Sequence, residues 1–113
     1  MRRPELSLAL LLLLGSGCLP PGKGRAAEQG YESGQSIINA LEAHKKSVGT
    51  YPESLEALTP DPLVELPVDP EREPFGYRLT DEGYELDFAY TGPGINHCVY
   101  TPKAAEWWCE GAY

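Results

Sequence analysis

Apolar residues recur at helical spacing through "YESGQSIINALEAHKKSVG". Ile37, Leu41 and Val48 fall four and seven apart, with Ile38 beside them, which marks one face of a helix. Gly30 and Gly34 project onto the same stripe, where missing side chains let another element come close. Lys45 and Lys46 occupy the last turn, and Gly49 stands where a left-handed cap is expected. The start is unmarked, because Ser33, Ser36 or an earlier residue could cap it.

The next stretch, "GTYPESLEAL", places Pro52 in a first helical turn and Leu55 and Leu58 on one side of a short helix. Thr59-Pro60 ends it, since the residue before proline is pushed out of helical geometry. Prolines at 52, 60, 62, 67, 70 and 74 then leave room only for an ordered, irregular loop.

The period changes to two in "FGYRLTDEGYELDFAY". Phe75, Tyr77 and Leu79 alternate with polar or small residues, as do Tyr84, Leu86, Phe88 and Tyr90. A turn over Thr80–Gly83, with Gly83 left-handed, pairs Leu79 with Tyr84, Tyr77 with Leu86 and Phe75 with Phe88. The same register sets Arg78 opposite Glu85 on the outer face. "TGPGIN" is a turn, and "HCVYT" a third strand ended by Pro102. The predicted fold is α+β: one amphipathic helix on a small antiparallel three-stranded sheet, with a proline-rich loop and a disulfide-closed carboxyl-terminal loop.

The amino terminus reads differently. Arg2 and Arg3 precede a run, Leu6–Leu14, that is apolar apart from Ser7. Nine residues of helix span about 13 Å, under half of a bilayer's hydrocarbon core, so the run suits a signal-peptide core better than a membrane span. Residues 1–17 are the expected signal peptide, 18–30 a flexible tether rich in proline and glycine, and 31–113 the globular domain.

Gly15, Ser16 and Gly17 before Cys18 resemble the lipobox of bacterial lipoproteins, with Gly15 where that family usually has leucine. The resemblance implies a lipid on Cys18, which becomes the first mature residue. Leu19, rather than aspartate, follows the cysteine, implying the outer membrane. The competing reading is ordinary cleavage near Ala26 or Ala27, with no lipid. With Cys18 acylated, Cys98 and Cys109 remain as one even pair in an oxidising compartment, the expected disulfide.

Removing residues 1–17 takes away Arg2, Arg3 and Glu5 and moves the formal charge from −8 to −9. An acidic body of this kind excludes phosphate-backbone binding, so no nucleic-acid partner is expected. It also offers no polybasic attraction to anionic lipid, leaving the membrane contact to the acyl anchor.

A helix ending at glycine, "YPESLEAL", "LPVDP" and "FGYRLTDEGYELDF" together resemble the globular part of bacterial type IV pilins and type II secretion pseudopilins, over about residues 31–92. The most specific piece is Tyr51-Pro52 to Leu58, joined to Asp69-Pro70. Pilin carboxyl-terminal loops are often closed by a disulfide, which Cys98 and Cys109 match. The long apolar helix and cleavage site of pilins have no counterpart, since Glu5 precedes the apolar run. The chain is therefore not expected to polymerise as a pilin subunit. "TGPGINHC" lacks the carboxylates with which major pseudopilins bind calcium, so that site is not carried over.

Candidate chemistry is sparse. Asp61, Glu65, Asp69, Glu71 and Glu73 supply charge without the recurring spacing of a cation site, which reads as a solvated acidic loop. His44 falls on the edge of the helix stripe, where a partly buried, hydrogen-bonded histidine is the default. Zinc would need His97 with Cys98, Cys109 and a fourth ligand, and export favours oxidation of the thiols instead. Neither a Cys-x-x-Cys nor a Gly-x-Ser-x-Gly motif occurs, so no catalytic residue, metal or cofactor is assigned.

Two tryptophans remain. Adjacent residues of extended chain point oppositely, so one of Trp107 and Trp108 should cover the core and the other face outward. Trp107, Trp108, Tyr100 and Tyr113 form the candidate partner surface. The expectation is a non-enzymatic, exported, lipid-anchored envelope protein facing the periplasm or surface, with an envelope or secretion-system protein as candidate partner. The alternatives are a ligand- or glycan-binding module using the carboxyl-terminal aromatics and, more distantly, a small hydrolase.

Overall fold

The computed structural model describes residues 19–92 and 94–112. The expected signal peptide, the lipid-attachment residue Cys18 and Tyr113 lie outside the described residues. Helix α1 (Arg25–Val48) and a short 3-10 helix (Leu55–Leu58) precede four strands. These are β1 (Gly76–Thr80), β2 (Gly83–Thr91), β3 (Ile95–Thr101) and β4 (Glu106–Ala112). They form one antiparallel sheet in the order β1-β2-β3-β4, so each strand pairs with its neighbour in sequence.

The fourth strand corrects the expectation of three. The segment expected as a disulfide-closed loop is a paired strand, in register from Thr101↔Glu106 to Ile95↔Ala112. Its sequence carries the period-two signal: Trp107, Cys109 and Gly111 alternate with Glu106, Trp108 and Glu110. A four-residue turn makes the pairing possible, with the Ala105 amide donating to the Thr101 carbonyl at 2.8 Å.

Helix α1 starts earlier than the tether reading allowed. Its first residue is Arg25 and Ala27 is already fully buried, so residues 25–30 belong to the packed body. Gly24 precedes it with no side-chain cap, and the Glu28 amide donates to the Gly24 carbonyl at 3.0 Å. The other end matches expectation: Gly49 is left-handed at φ 101° and donates to the Lys45 carbonyl at 2.7 Å. Val48, expected on the buried stripe, is 64 % exposed, because Leu41 is the last buried residue of the helix and its final turns face solvent.

The buried stripe of α1 lies across the inner face of the sheet. Ile37, Ile38 and Leu41 join Leu55, Leu58, Phe75, Tyr84, Leu86, Phe88 and Tyr90 in one core. The β1–β2 register is the expected one, Leu79↔Tyr84, Tyr77↔Leu86 and Arg78↔Glu85, with Gly83 at φ 130°. Phe75 stops one residue short of β1, yet its ring still meets Phe88 at 5.6 Å between centroids. Arg78 and Glu85 pair at 2.9 Å on the outer face, too exposed to add much stability.

Between the 3-10 helix and β1 the chain is irregular but fastened. The buried Asp69 accepts hydrogen bonds from the Glu71 amide at 2.8 Å and the Glu73 amide at 2.9 Å. Its own amide donates to the Glu73 carbonyl, and Val68 bridges to Pro74. The side chain of Glu71 then accepts the Thr91 amide at 2.9 Å, tying the loop to the end of β2. These carboxylates act as local loop fasteners.

Candidate functional site

Cys98 and Cys109 stand directly opposite each other on β3 and β4 and are joined by a disulfide, with Cα atoms 4.1 Å apart. A pair this close is the type whose amides and carbonyls point away from the partner strand. Its side chains lie on the inner face, where Cys98 is fully buried. The cross-link therefore fixes the outermost strand at its centre.

Above Cys109 sits a feature that sequence reasoning missed. The chain at Pro20–Lys23 forms a turn, with the Lys23 amide donating to the Pro20 carbonyl at 3.2 Å, and this turn is docked. The buried Gly22 amide donates to the Tyr90 hydroxyl at 2.8 Å, while the Tyr31 hydroxyl donates to the Gly22 carbonyl at 2.7 Å. The same Tyr31 oxygen lies 3.3 Å from the Cys109 sulfur. Gly22 has φ 86°, and a β-carbon there would meet the Tyr31 hydroxyl at 2.9 Å and the sulfur at 3.1 Å. The only sequence hint was the glycine itself. Its tyrosine partners come from helix α1 and strand β2, which no local pattern connects.

The candidate aromatic surface is divided between the two faces of the sheet. Trp107 turns inward, with ring centroids 5.2 Å from Phe88, 5.6 Å from Tyr31 and 5.5 Å from Tyr100. Gly34 makes room for it, since a β-carbon there would lie 2.6 Å from the indole. Tyr100 is part of the same packing and stacks on Tyr84 at 6.3 Å. Trp108 points the other way, is 62 % exposed and stands opposite Val99. One tryptophan in and one out is the arrangement that extended chain requires.

The titratable groups show structural environments. His44 is half-buried and its Nδ1 lies 3.0 Å from the Thr50 carbonyl. His97 is exposed on β3 with its Nε2 3.7 Å from Asp87. The sulfurs it would share with a zinc ion are bonded to each other. Among the described residues, no three His, Cys, Asp or Glu side chains form a group that could hold a metal ion. Burial raises the pKa of two half-buried tyrosines packed on the core, Tyr51 to about 12 with the Glu42 carboxylate adding to it, and Tyr77 also to about 12. Burial lifts Tyr84 as well, and its hydroxyl has no hydrogen-bond partner among the described residues.

A shallow groove at the β1–β2 and β3–β4 turn end is lined by Arg78, Glu82, Glu85 and Lys103, but these charges are already paired, Lys103 to Glu82 at 2.9 Å. A smaller apolar cleft of about 330 Å³ lies between the 3-10 helix and the proline-rich loop, walled by Leu55, Leu66, Pro67, Phe75 and Tyr77. No helix among the described residues is long and apolar enough to cross a membrane. No protein family, curated protein or solved structure matches the chain in comparison.

Proposed function

We propose that this chain is an exported, lipid-anchored domain of pilin-like fold whose role at the bacterial envelope is contact rather than catalysis. The observation that carries the reading is the disulfide. It uses Cys98 and Cys109, so the one cysteine left over in the sequence is Cys18, directly behind an apolar run and three small residues. A cross-linked pair suits an oxidising compartment, and a leftover cysteine at that position suits acylation. The pilin likeness is supported by one helix lying across an antiparallel sheet, with Tyr51-Pro52, the 3-10 helix and the fastened Asp69 loop between them.

The intact mass of the protein recovered from membranes tests this. The expected mass begins at Cys18, carries acyl chains and gains two hydrogens on reduction. Palmitate labelling should vanish in Cys18→Ser. A mature chain that begins near Ala27 with no acyl mass sinks the anchor.

A second reading is favoured by one specific observation, the 62 % exposure of Trp108 on the outer sheet face. A lone exposed indole on a rigid sheet suits stacking against a glycan ring or a partner's apolar side chain. Titration of the protein with candidate glycans, followed by tryptophan emission, would separate this reading from the first.

A further inference from the structure

The docking of the Pro20–Lys23 turn has a geometric consequence for anchoring, and the inference rests on the lipid-anchor reading above. We infer that the end of the domain carrying Leu19, Lys23, Arg25 and Ile95 is held against the surface of a phospholipid bilayer, with no free tether between lipid and fold.

The reach of the chain sets this arrangement. Gly22 is buried and fixed from both sides, its amide on the Tyr90 hydroxyl and its carbonyl on the Tyr31 hydroxyl. From Gly22 back to Cys18 there are four residue steps, at most about 14 Å of fully extended chain. The Pro20–Lys23 hydrogen bond shortens that span further. A bilayer's headgroup layer occupies roughly 5–8 Å on each side of the hydrocarbon. A lipid seated on Cys18 thus keeps the docked turn within about 14 Å of the acyl attachment, at the headgroups or just above them.

The surface presented at this end fits that environment. Leu19 is 48 % exposed and Ile95, at the start of β3, is 65 % exposed. Ile95 neighbours Asn96, which lies with Pro21 against Gly111, so β3, β4 and the docked turn converge here. Lys23 and Arg25 are exposed beside them in a chain whose formal charge is −8. Lys45, Lys46 and Lys103 belong to the opposite end, at the close of α1 and in the β3–β4 turn. Exposed Leu19 and Ile95 suit the boundary between headgroups and acyl chains, while Lys23 and Arg25, with Glu28 in the same first turn of α1, can reach the phosphate level.

Hydrogen exchange on the full-length chain, produced in a lipoprotein-processing bacterium and reconstituted in phosphatidylethanolamine–phosphatidylglycerol vesicles, tests the inference. With acylation confirmed by mass, the amides of Gly94 and Ile95 should exchange at least tenfold more slowly than in soluble Cys18→Ser protein. The β3–β4 turn should be unchanged. A six-residue Gly-Ser spacer between Leu19 and Pro20, outside the docked turn, should restore fast exchange at both positions. An acylated, vesicle-bound protein with no slowing, or slowing that survives the spacer, overturns the inference and leaves the lipid anchor standing. Absence of acyl mass overturns both.

Discussion

Gly30 of α1 lies so close to Phe88 of β2 that a β-carbon added to it would stand 2.2 Å from two atoms of the ring. The helix rests on the sheet at this point because nothing projects from it. Phe88 cannot step aside, since Phe75, Tyr31, Tyr90 and Trp107 surround it at centroid distances of 5.2 to 6.2 Å. Gly30→Ala therefore sets two effects against each other. Alanine in a helix gains about 1 kcal/mol over glycine. Overfilling a core costs about 1–3 kcal/mol, and here the neighbour is a wedged ring. With the cost in the upper part of that range, about 2–3 kcal/mol, the net expectation is a loss of about 1–2 kcal/mol, read as a lower urea midpoint. Exposed Glu32→Ala should change it by under about 0.5 kcal/mol. A Gly30→Ala protein as stable as the parent would mean that helix and sheet are not in this contact.

The disulfide should account for a large share of the stability of so small a domain. Cys98 and Cys109 are separated by 11 positions, and closing a loop of that size contributes about 2.5–3 kcal/mol in the chain-entropy model. Domains commonly have total stabilities of about 5–15 kcal/mol, with small ones towards the low end. Cys98→Ser with Cys109→Ser should lower the unfolding free energy by roughly the loop-closure amount, with β4 losing hydrogen-exchange protection before the other strands. A double variant within about 0.5 kcal/mol of the parent would assign the stability of β4 to its pairing and to Trp107.

Much of this architecture could be read from the order of residues, and the reason is range. The register of β1 and β2 follows from Leu79, Tyr84 and Gly83, all within one hairpin. The end of α1 follows from Gly49, a local cap. The fourth strand was legible in principle, since Glu106, Trp108 and Glu110 alternate with Trp107, Cys109 and Gly111. Cys109 with Cys98 of β3 reads equally well as the closure of a loop. The docked turn was not legible. Gly22 meets Tyr90 across 68 positions and Tyr31 meets Cys109 across 78, and no periodicity reports contacts of that range. The candidate aromatic surface is divided for a related reason. Sequence proximity gathered Tyr100, Trp107 and Trp108, whereas the alternation of β4 separated Trp108 from the other two.

Alkaline pH should unfold the domain through its tyrosines. Tyr84 is neutral in the core and Tyr51 and Tyr77 are neutral and packed against it, and burial raises the pKa of each, with Tyr51 and Tyr77 reaching about 12. In the unfolded chain a tyrosine ionises near 10. Because the folded value is the higher one, the stability these groups contribute is fully present below pH 10 and is lost as pH rises towards 12. The urea midpoint should hold steady from pH 7 to 9 and then fall. Absorbance at 295 nm should show fewer than the full complement of tyrosines titrating near pH 10. All tyrosines titrating together near 10, with the far-ultraviolet dichroism of the folded protein intact, would contradict the packing of Tyr51, Tyr77 and Tyr84.

The two tryptophans should separate stability from recognition. Trp107 fills the space left by Gly34 and touches Phe88, Tyr31 and Tyr100, so Trp107→Ala opens a cavity under the disulfide. Large-to-small changes of a buried aromatic cost about 3–5 kcal/mol, and a half-buried indole should fall near the lower end. Trp108 is mostly in solvent, and Trp108→Ala should cost under about 1 kcal/mol. If the outer face takes part in contacts at the envelope, Trp108→Ala should weaken capture of a cross-linked partner at least tenfold while the protein remains folded. Tryptophan emission supplies the check on geometry. Removing Trp108 should shift the remaining emission to the blue, because the packed Trp107 is then the only source, and removing Trp107 should shift it to the red. The reverse pattern would place the wrong indole in the core.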